Sequence, residues 1–399
     1  MDQASQLYQK DTVDVNDQAT RDAQDLAALG HAQTLSRKFS LWSMLALAFC
    51  VLGTWSTMAQ DLATGLVNGG PSASFVFGQW INQTGWGDGV VWFLGLVQSA
   101  YGLTAFDSVI HMVEEIPAPR RNAPRTMYLA VLIGAFSGFI FMVVCLFSIQ
   151  SVDGVLNPAS GNPFIELVQS TIGQVGGAVM IALFIFNGLG QGSSVLTSAS
   201  RLTWSFARDG GFPWGVWFSH VDETWMVPGR ALWLQCGIIC LVGVLYLFAS
   251  TVLQAILSVS TIALTISYAM PIISLVVVGR DKLPPGGEFK LGRLGPVINW
   301  VSIIYCAITT VFFFFPTTPN PTVSEMNFAI AVFGVMLVLS IGFWFVQGHR
   351  TFMQSGEMAP DIQGILYAEN CELSQDGSSS AEPRPDNKIK GQTSELTSD

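Results

Sequence analysis

Charge is scarce in this sequence. Charged residues make up 12% of its 399 positions and hydrophobic residues 50%, whereas a soluble globular protein carries about 25% charged residues. That shortage excludes an ordinary water-soluble domain. Cysteine is also sparse, with 6 residues, and Cys50, Cys145, Cys236, Cys240 and Cys306 all fall inside apolar runs, with Cys371 beyond the last. No disulfide or metal framework is expected from such placement. Cys236 and Cys240 share a helix face but have no His or acid beside them, and read as small packing residues. The sequence contains no catalytic triad, no phosphate-binding loop after a strand and no basic patch suited to nucleic acid. No enzyme activity, cofactor or nucleic-acid partner is therefore expected.

Long apolar runs take the place of charge. They lie near 41–66, 89–113, 126–150, 174–199, 231–250, 252–279, 295–315 and 327–347. Each is about 20 residues or longer, enough for a helix to cross a hydrocarbon core of about 30 Å. The expected fold class is an all-α polytopic membrane protein with about eight transmembrane helices, occupying 39–350. Basic residues are retained on the cytoplasmic side of a membrane. Here Arg37 and Lys38 precede the first run, and Arg120, Arg121 and Arg125 lie between the second and third. Arg201, Arg208 and Arg230 surround the loop after the fourth; Arg280, Lys282, Lys290 and Arg293 separate the sixth from the seventh; Arg350 follows the last. The alternate loops near 69–88, 151–162, 250 and 316–326 hold no Lys or Arg. Both termini are thus expected in the cytoplasm.

The net charge of -10 comes largely from the two ends. Residues 1–38 are acidic and have no hydrophobic signal segment, so the first run is expected to act as its own insertion signal. Residues 351–399 end in SQDGSSSAEPRPDNKIKGQTSELTSD, a polar, Ser-rich and Pro-rich composition that reads as a disordered tail. Asn82-Gln83-Thr84 forms a glycosylation sequon in a loop that the charge pattern places outside.

Two runs are interrupted alike. The first contains Gly53-Thr54-Trp55-Ser56-Thr57, and the second contains Tyr101-Gly102-Leu103-Thr104-Ala105-Phe106-Asp107. Glycine and small hydroxyl residues in mid-span let a helix unwind, which is tolerable only beside protein or a water-filled cavity. Unwinding exposes N–H and C=O groups and half-helix dipole ends to a charged or zwitterionic ligand. Asp107 adds a carboxylate within a span, where insertion costs about 2.5–3.5 kcal/mol and a partner or cavity is expected. It can pair with a substrate ammonium, bind a coupled proton or gate the inner side of a site. His111 is placed to partner it one turn later. The alternative is that Asp107, His111, Glu114 and Glu115 form the polar cytoplasmic end of the helix beside Arg120 and Arg121, and for His111, Glu114 and Glu115 that is the preferred reading. In the fourth run, Gly188, Gly190 and Gly192 are expected to permit close helix packing, with Asn187, Gln191 and Ser194 facing the bundle interior. Those three polar residues serve either substrate contact or packing. Gly134 and Gly138 form a GxxxG pair, common in membrane helices and uninformative about function.

Three stretches carry a resemblance: GTWSTMAQDLATGLVNGGP, EEIPAPRRNAPRTM and SASRLTWSFARDGGFPW. Together they resemble the amino acid/polyamine/organocation permeases, in the fungal-type branch that takes up gamma-aminobutyrate, choline and related amines. The likeness extends over 38–350. It implies a LeuT-type fold of about twelve helices built on inverted repeats, with substrate held where family helices one and six are unwound. It implies substrate-binding roles for Gly53, Thr54, Trp55 and Ser56 in family helix one, and for Tyr101, Gly102, Leu103 and Thr104 in family helix six. Asp107 falls on an acidic position that closes the inner side of the site in some relatives, and Tyr101 where an aromatic ring can stack on a cationic amine. The resemblance further implies proton coupling and a small amine or amino-acid substrate; the plasma membrane is the expected location, with the vacuole or another endomembrane as the alternative. One departure is large. The first run passes through NGGP into SASFVFGQWINQTGWGDG, which resembles the loop before family helix six, so family helices two to five are absent. The expected fold is an incomplete LeuT-type repeat, and association with another permease chain is a rival expectation to transport by this chain alone.

Overall fold

A computed structural model describes residues 37–60, 84–248, 250–280, 291–316, 318–322 and 326–352, with 20–22, 26, 34–35, 62, 66, 68–69, 81–82 and 289. The expected junction after NGGP, most of the acidic N-terminal region, and the C-terminal tail with Cys371 lie outside the described residues.

The first apolar run forms α1 (Leu41–Leu52) and α2 (Thr54–Gln60), separated by Gly53 alone. Its start is set locally by a capping box: the Ser40 hydroxyl accepts from Ser43 N–H at 3.2 Å, and Ser43 Oγ accepts from Ser40 N–H at 2.8 Å. Next come α3 (Asp88–Tyr101) and a 3-10 segment, Phe106–Glu115, which together are the second run with its interruption resolved. The remaining helices are α4 (Pro119–Ser148), α5 (Val152–Leu156), α6 (Pro163–Arg208), α7 (Gly215–Phe218), α8 (Gly229–Phe248), α9 (Ser250–Val278), α10 (Gly295–Phe313) and α11 (Ala329–Phe343). Proline at the first turn starts α4 and α6, where a missing N–H costs nothing. In α6, Gly173 at φ 75 and ψ 175 divides a short leading stretch from the long apolar helix, which agrees with a fourth span beginning near 174. The α11 helix continues through a π-type turn, Trp344–Gly348.

Among the described residues, six helices are long and apolar enough to cross a membrane: Leu41–Gln60, Pro119–Ser148, Pro163–Arg208, Ser258–Val278, Gly292–Phe313 and Ala329–Phe352. Of the two other expected spans, the one near 231–250 is α8, 20 residues long, and the run near 89–113 is split into α3 and the 3-10 segment. The chain is an integral membrane protein, all-α apart from a two-residue antiparallel ladder pairing Asn68 with Asn82 and Gly69 with Ile81.

The kink at Gly53 divides the core. Below it, Met44, Ala48 and Leu52 of α1 pack on Val109 and Ile116 around the 3-10 segment and on Ala123 and Ala130 of α4. Beyond it, Ala59, Leu62 and Leu66 pack on Cys145, Val155, Phe164, Leu167 and Val168. Separate clusters join Leu35 to Trp204 and Ala231, and Val259 and Ile262 of α9 to Ala329. The two kinds of loop also segregate. Trp86 donates from Nε1 to the Pro316 carbonyl at 3.3 Å and lies 5.5 Å from the Phe315 ring, uniting two loops that hold no Lys or Arg. At the other end, Arg37 pairs with Asp22 at 3.5 Å, Asp22 accepts from Ala118 N–H at 3.0 Å, and Thr351 donates to the Gly210 carbonyl at 2.7 Å.

Candidate substrate site at two helix breaks

The first break is narrower than the sequence implies. Gly53 adopts φ 53 and ψ 31, yet its N–H still reaches the Phe49 carbonyl at 3.3 Å and its carbonyl accepts from Thr57 N–H at 3.0 Å. The span is kinked at one residue rather than unwound over four. Left-handed backbone at this point ends α1 and restarts the helix as α2, whose first turn lacks intrahelical acceptors for its N–H groups. Thr54 is 2% exposed, and its hydroxyl has no hydrogen-bond partner among the described residues. Trp55 is 42% exposed; it donates from Nε1 to Ser137 Oγ at 3.1 Å and stacks on Phe141 at 6.3 Å. Ser56 accepts from Asn187 Nδ2 at 3.4 Å.

The second break is a true unwinding. Leu103 N–H bonds to the Ala100 carbonyl and Thr104 N–H to the Tyr101 carbonyl, each at 3.2 Å, tightening the end of α3. Thr104 Oγ1 donates to the Ala100 carbonyl at 2.8 Å. The left-handed residue is Ala105, at φ 69, and not Gly102. Asp107 opens the 3-10 segment with both oxygens engaged: Oδ1 accepts from the Tyr268 hydroxyl at 2.6 Å, and Oδ2 lies 3.1 Å from His111 Nε2. Tyr101 and Gly102 sit at the closing turn of α3, where Gly102 is buried and Tyr101 half-buried.

Gly134 of α4 joins the two breaks. A Cβ there would lie 3.1 Å from Thr54 Oγ1 and 3.5 Å from Leu103 Cδ2, and one on Gly138 would lie 2.8 Å from Thr54 Cγ2 and 3.1 Å from the Met58 sulfur. The GxxxG pair is thus the surface on which both interruptions close, a role that its sequence did not disclose. From α6, Gln191 reaches the first break so closely that a Cβ on Gly53 would fall within its side-chain amide. Asn187 and Gln191 therefore both reach the first break. Ser194 instead donates to the Gly190 carbonyl of its own helix at 3.0 Å.

Other expectations need correction. Gly188, Gly190 and Gly192 meet nothing within 4 Å, and Asn187 is exposed rather than interior, because no described helix covers that face of α6. Cys240 is exposed as well. Glu114 and Glu115 do not simply end a helix beside Arg120 and Arg121. Arg201 Nε donates to Glu115 Oε1 at 2.7 Å with both side chains under 9% exposed, and Arg208 donates to Glu114 Oε1 at 2.6 Å. Arg208 also lies 4.5 Å over the Trp204 ring, whose Nε1 donates to the Ser219 carbonyl at 2.9 Å. Ser198 adds a bond to the Ser108 carbonyl at 3.3 Å. Two of the three stretches that carry the family resemblance therefore grip each other through paired ion pairs beyond the second break.

A family model described as amino acid permease matches residues 27–338. The chain belongs to the amino acid permease family. Within that family, it is 33% identical over 282 residues to the choline transporter of Saccharomyces cerevisiae, covering 70% of this chain and 50% of that protein. To an amino-acid permease homolog of Oryza sativa subsp. japonica it is 29% identical over 323 residues, 78% of this chain and 60% of the relative. An amino-acid permease of Arabidopsis thaliana is 27% identical over 270 residues, 66% and 52% of the two chains. This permease-family chain spans about half the length of the curated relatives it matches. The relatives' names describe transporters rather than enzymes. Tyr268, Ser137, Arg201 and Arg208 are the site neighbours that sequence reading left unassigned. Tyr268 had one local signal, a hydroxyl in an apolar run three residues before Pro271.

Proposed function

We propose that this chain is a secondary transporter of a small amine or amino acid, of the choline, gamma-aminobutyrate, polyamine or amino-acid class, driven by a proton gradient. The observation that carries the reading is the meeting of two interrupted spans over Gly134, with the orphaned Thr54 hydroxyl, the Gln191 amide and the Asp107 carboxylate on either side. Backbone freed at such breaks, together with the half-buried Asp107 carboxylate, suits a ligand that carries an ammonium group. Trp55 offers a partly open aromatic face for the same cation. The plasma membrane, with both termini in the cytoplasm, is the location that fits the charge pattern and such a substrate.

Uptake of labelled choline, gamma-aminobutyrate and basic amino acids by cells expressing the full chain tests this reading. Accumulation of one of them, collapsed by a protonophore, is expected; none, despite good surface expression, would sink it. Asp107→Asn is expected to lower coupled uptake by about tenfold or more, since hydrogen bonds to a charged group are worth about 1.5–3 kcal/mol. Transport unchanged by that substitution removes Asp107 from the site.

A second reading is favoured by the uncovered face of α6. Asn187, Gly188, Gly190 and Gly192 are exposed on a membrane helix, where polar and small residues ordinarily meet another helix. On this reading the chain lacks family helices two to five and works, if at all, beside a full-length permease. Co-purification with such a chain, combined with no uptake alone, favours it. A transcript that restores four helices between codons 70 and 75 would remove its basis.

A further inference from the structure

Four of the chain's 12 tryptophans fall between 214 and 233, and all four, Trp214, Trp217, Trp225 and Trp233, are 53% to 79% exposed. An exposed indole cluster is out of place in water. It suits a membrane–water interface, where the ring meets acyl chain on one side and headgroup on the other. The cluster is built around α7, which is held from one side. Phe218 is buried with its ring 5.3 Å from that of Phe212, and the Ser219 carbonyl accepts from Trp204 Nε1 at 2.9 Å. A Cβ on Gly215 would fall 2.5 Å from the Ala207 carbonyl oxygen of α6. Trp214, Val216 and Trp217 are left without cover among the described residues.

Arg230, in the first turn of α8, stands among these rings. Its guanidinium carbon lies 5.0 Å over the Trp217 ring, and its Nη1 donates to the Trp217 carbonyl at 3.2 Å. That bond uses one of five N–H donors. Arg37, Arg201 and Arg208 each meet a carboxylate, whereas Arg230 makes no ion pair among the described residues, and its charge is left unanswered. Trp233 follows three positions later, on the same helix face. Gly237, Leu241 and Val244 continue that face at helical spacing; Leu241 and Val244 are exposed, and a Cβ on Gly237 would meet nothing within 4 Å. From Arg230 to Leu241 is about 16 Å of helix, close to half of a hydrocarbon core about 30 Å thick. Cation, paired indoles and one leaflet's depth of apolar surface thus lie in a single line.

We propose that Arg230, Trp217 and Trp233 form a seat for one acidic phospholipid, with its phosphate on the guanidinium, its glycerol region against the two indoles and an acyl chain along α8 past Gly237. An acidic lipid fits because Arg230 brings a charge without a counter-charge, and a zwitterionic headgroup would set a second cation beside it. Trp217 belongs to the turn that Trp204 and Gly215 hold against α6, so a bound lipid joins α7 to the head of α8 from the side that protein leaves open. The seat lies apart from both helix breaks and requires no transport by the chain.

Native mass spectrometry of the purified full chain, titrated with phosphatidylglycerol in detergent, tests the seat. One phosphatidylglycerol per chain is expected to be retained in preference to phosphatidylcholine, and millimolar inorganic phosphate is expected not to displace it. Arg230→Gln should weaken retention about fivefold, the worth of one basic residue at an anionic lipid surface. Arg350→Gln, which removes an exposed arginine at the end of another span, should leave retention unchanged. A second measurement needs no variant and so is immune to misfolding. Brominated phosphatidylglycerol should quench the tryptophan emission of the unsubstituted chain more than brominated phosphatidylcholine does at equal mole fraction. Equal retention of the two lipids, equal quenching by them, equal loss in the two arginine variants, or displacement by inorganic phosphate would each overturn the seat.

Discussion

Gly53 shows how one residue sets a site. Its interruption of an apolar run was legible because glycine followed by Thr-Trp-Ser-Thr has no place in a uniform membrane helix. Its geometry was not, since φ 53 and the nearby Gln191 amide depend on a helix more than 130 positions away. Gly53→Ala is expected to lose about 1–2 kcal/mol from the left-handed backbone and to push Gln191 out of the break. The apparent melting temperature in detergent measures the loss. Combined with Gln191→Ala, the two losses should sum to less than their separate values, because both act on one contact. Strict additivity would show that Gly53 and Gln191 act independently. Ser137 and Tyr268 were hidden for the same reason: they lie 82 and 161 positions from the partners they bind.

At the scale of the element, α4 and α6 define the site by opposite means. The α4 helix brings absence of side chains, since Gly134 and Gly138 admit Thr54, Met58 and Leu103 to within contact of its backbone. The α6 helix brings long polar side chains, with Gln191 and Asn187 at the first break and Arg201 and Arg208 on the segment after the second. The buried Arg201–Glu115 pair gives this arrangement its sharpest test. Removing one partner of a buried pair strands a charge and costs about 3–5 kcal/mol, whereas removing both is far milder. Glu115→Gln alone should therefore lower folded, surface-delivered protein more than Glu115→Gln with Arg201→Gln, by immunoblot of the surface fraction. Equal loss in the two variants would mean that the pair carries no stabilising charge interaction. Helix existence was legible here from apolar length, whereas the kink at Gly173 was not anticipated. Pairing between α6 and the segment after the second break was not, although each sequence stretch was distinctive by itself.

Across the whole molecule, charge and packing sort the loops in the same way. Trp86, Phe315 and Pro316 unite two loops without Lys or Arg, while Asp22 binds Arg37 and Ala118, and Thr351 binds Gly210, in the segments that carry the basic residues. If the termini lie in the cytoplasm, as the charge pattern predicts, a C-terminal tag should resist protease added to intact cells and become sensitive after permeabilisation. Cleavage in intact cells would invert the orientation. The same orientation places Asn82 outside, so Asn82→Gln should abolish a glycosidase-sensitive mobility shift. In the folded loop, Asn82 Nδ2 donates to the Trp86 carbonyl at 2.6 Å and to Asp88 Oδ1 at 3.0 Å. A glycan must replace those bonds, and the loop is expected to loosen around it.

Sequence by itself determined the class of protein, the positions of its apolar spans and the two places where they fail, because hydropathy and glycine act locally along the chain. It also determined the family, through stretches whose residue order is unusual. Tertiary structure alone decided what those stretches do. The two signatures become one ion-paired clamp, an uninformative GxxxG becomes the floor of the site, and an unremarked tyrosine becomes the partner of Asp107. Each of these joins residues distant in sequence, where partner choice follows from packing and from the need of a buried charge or N–H for a hydrogen bond.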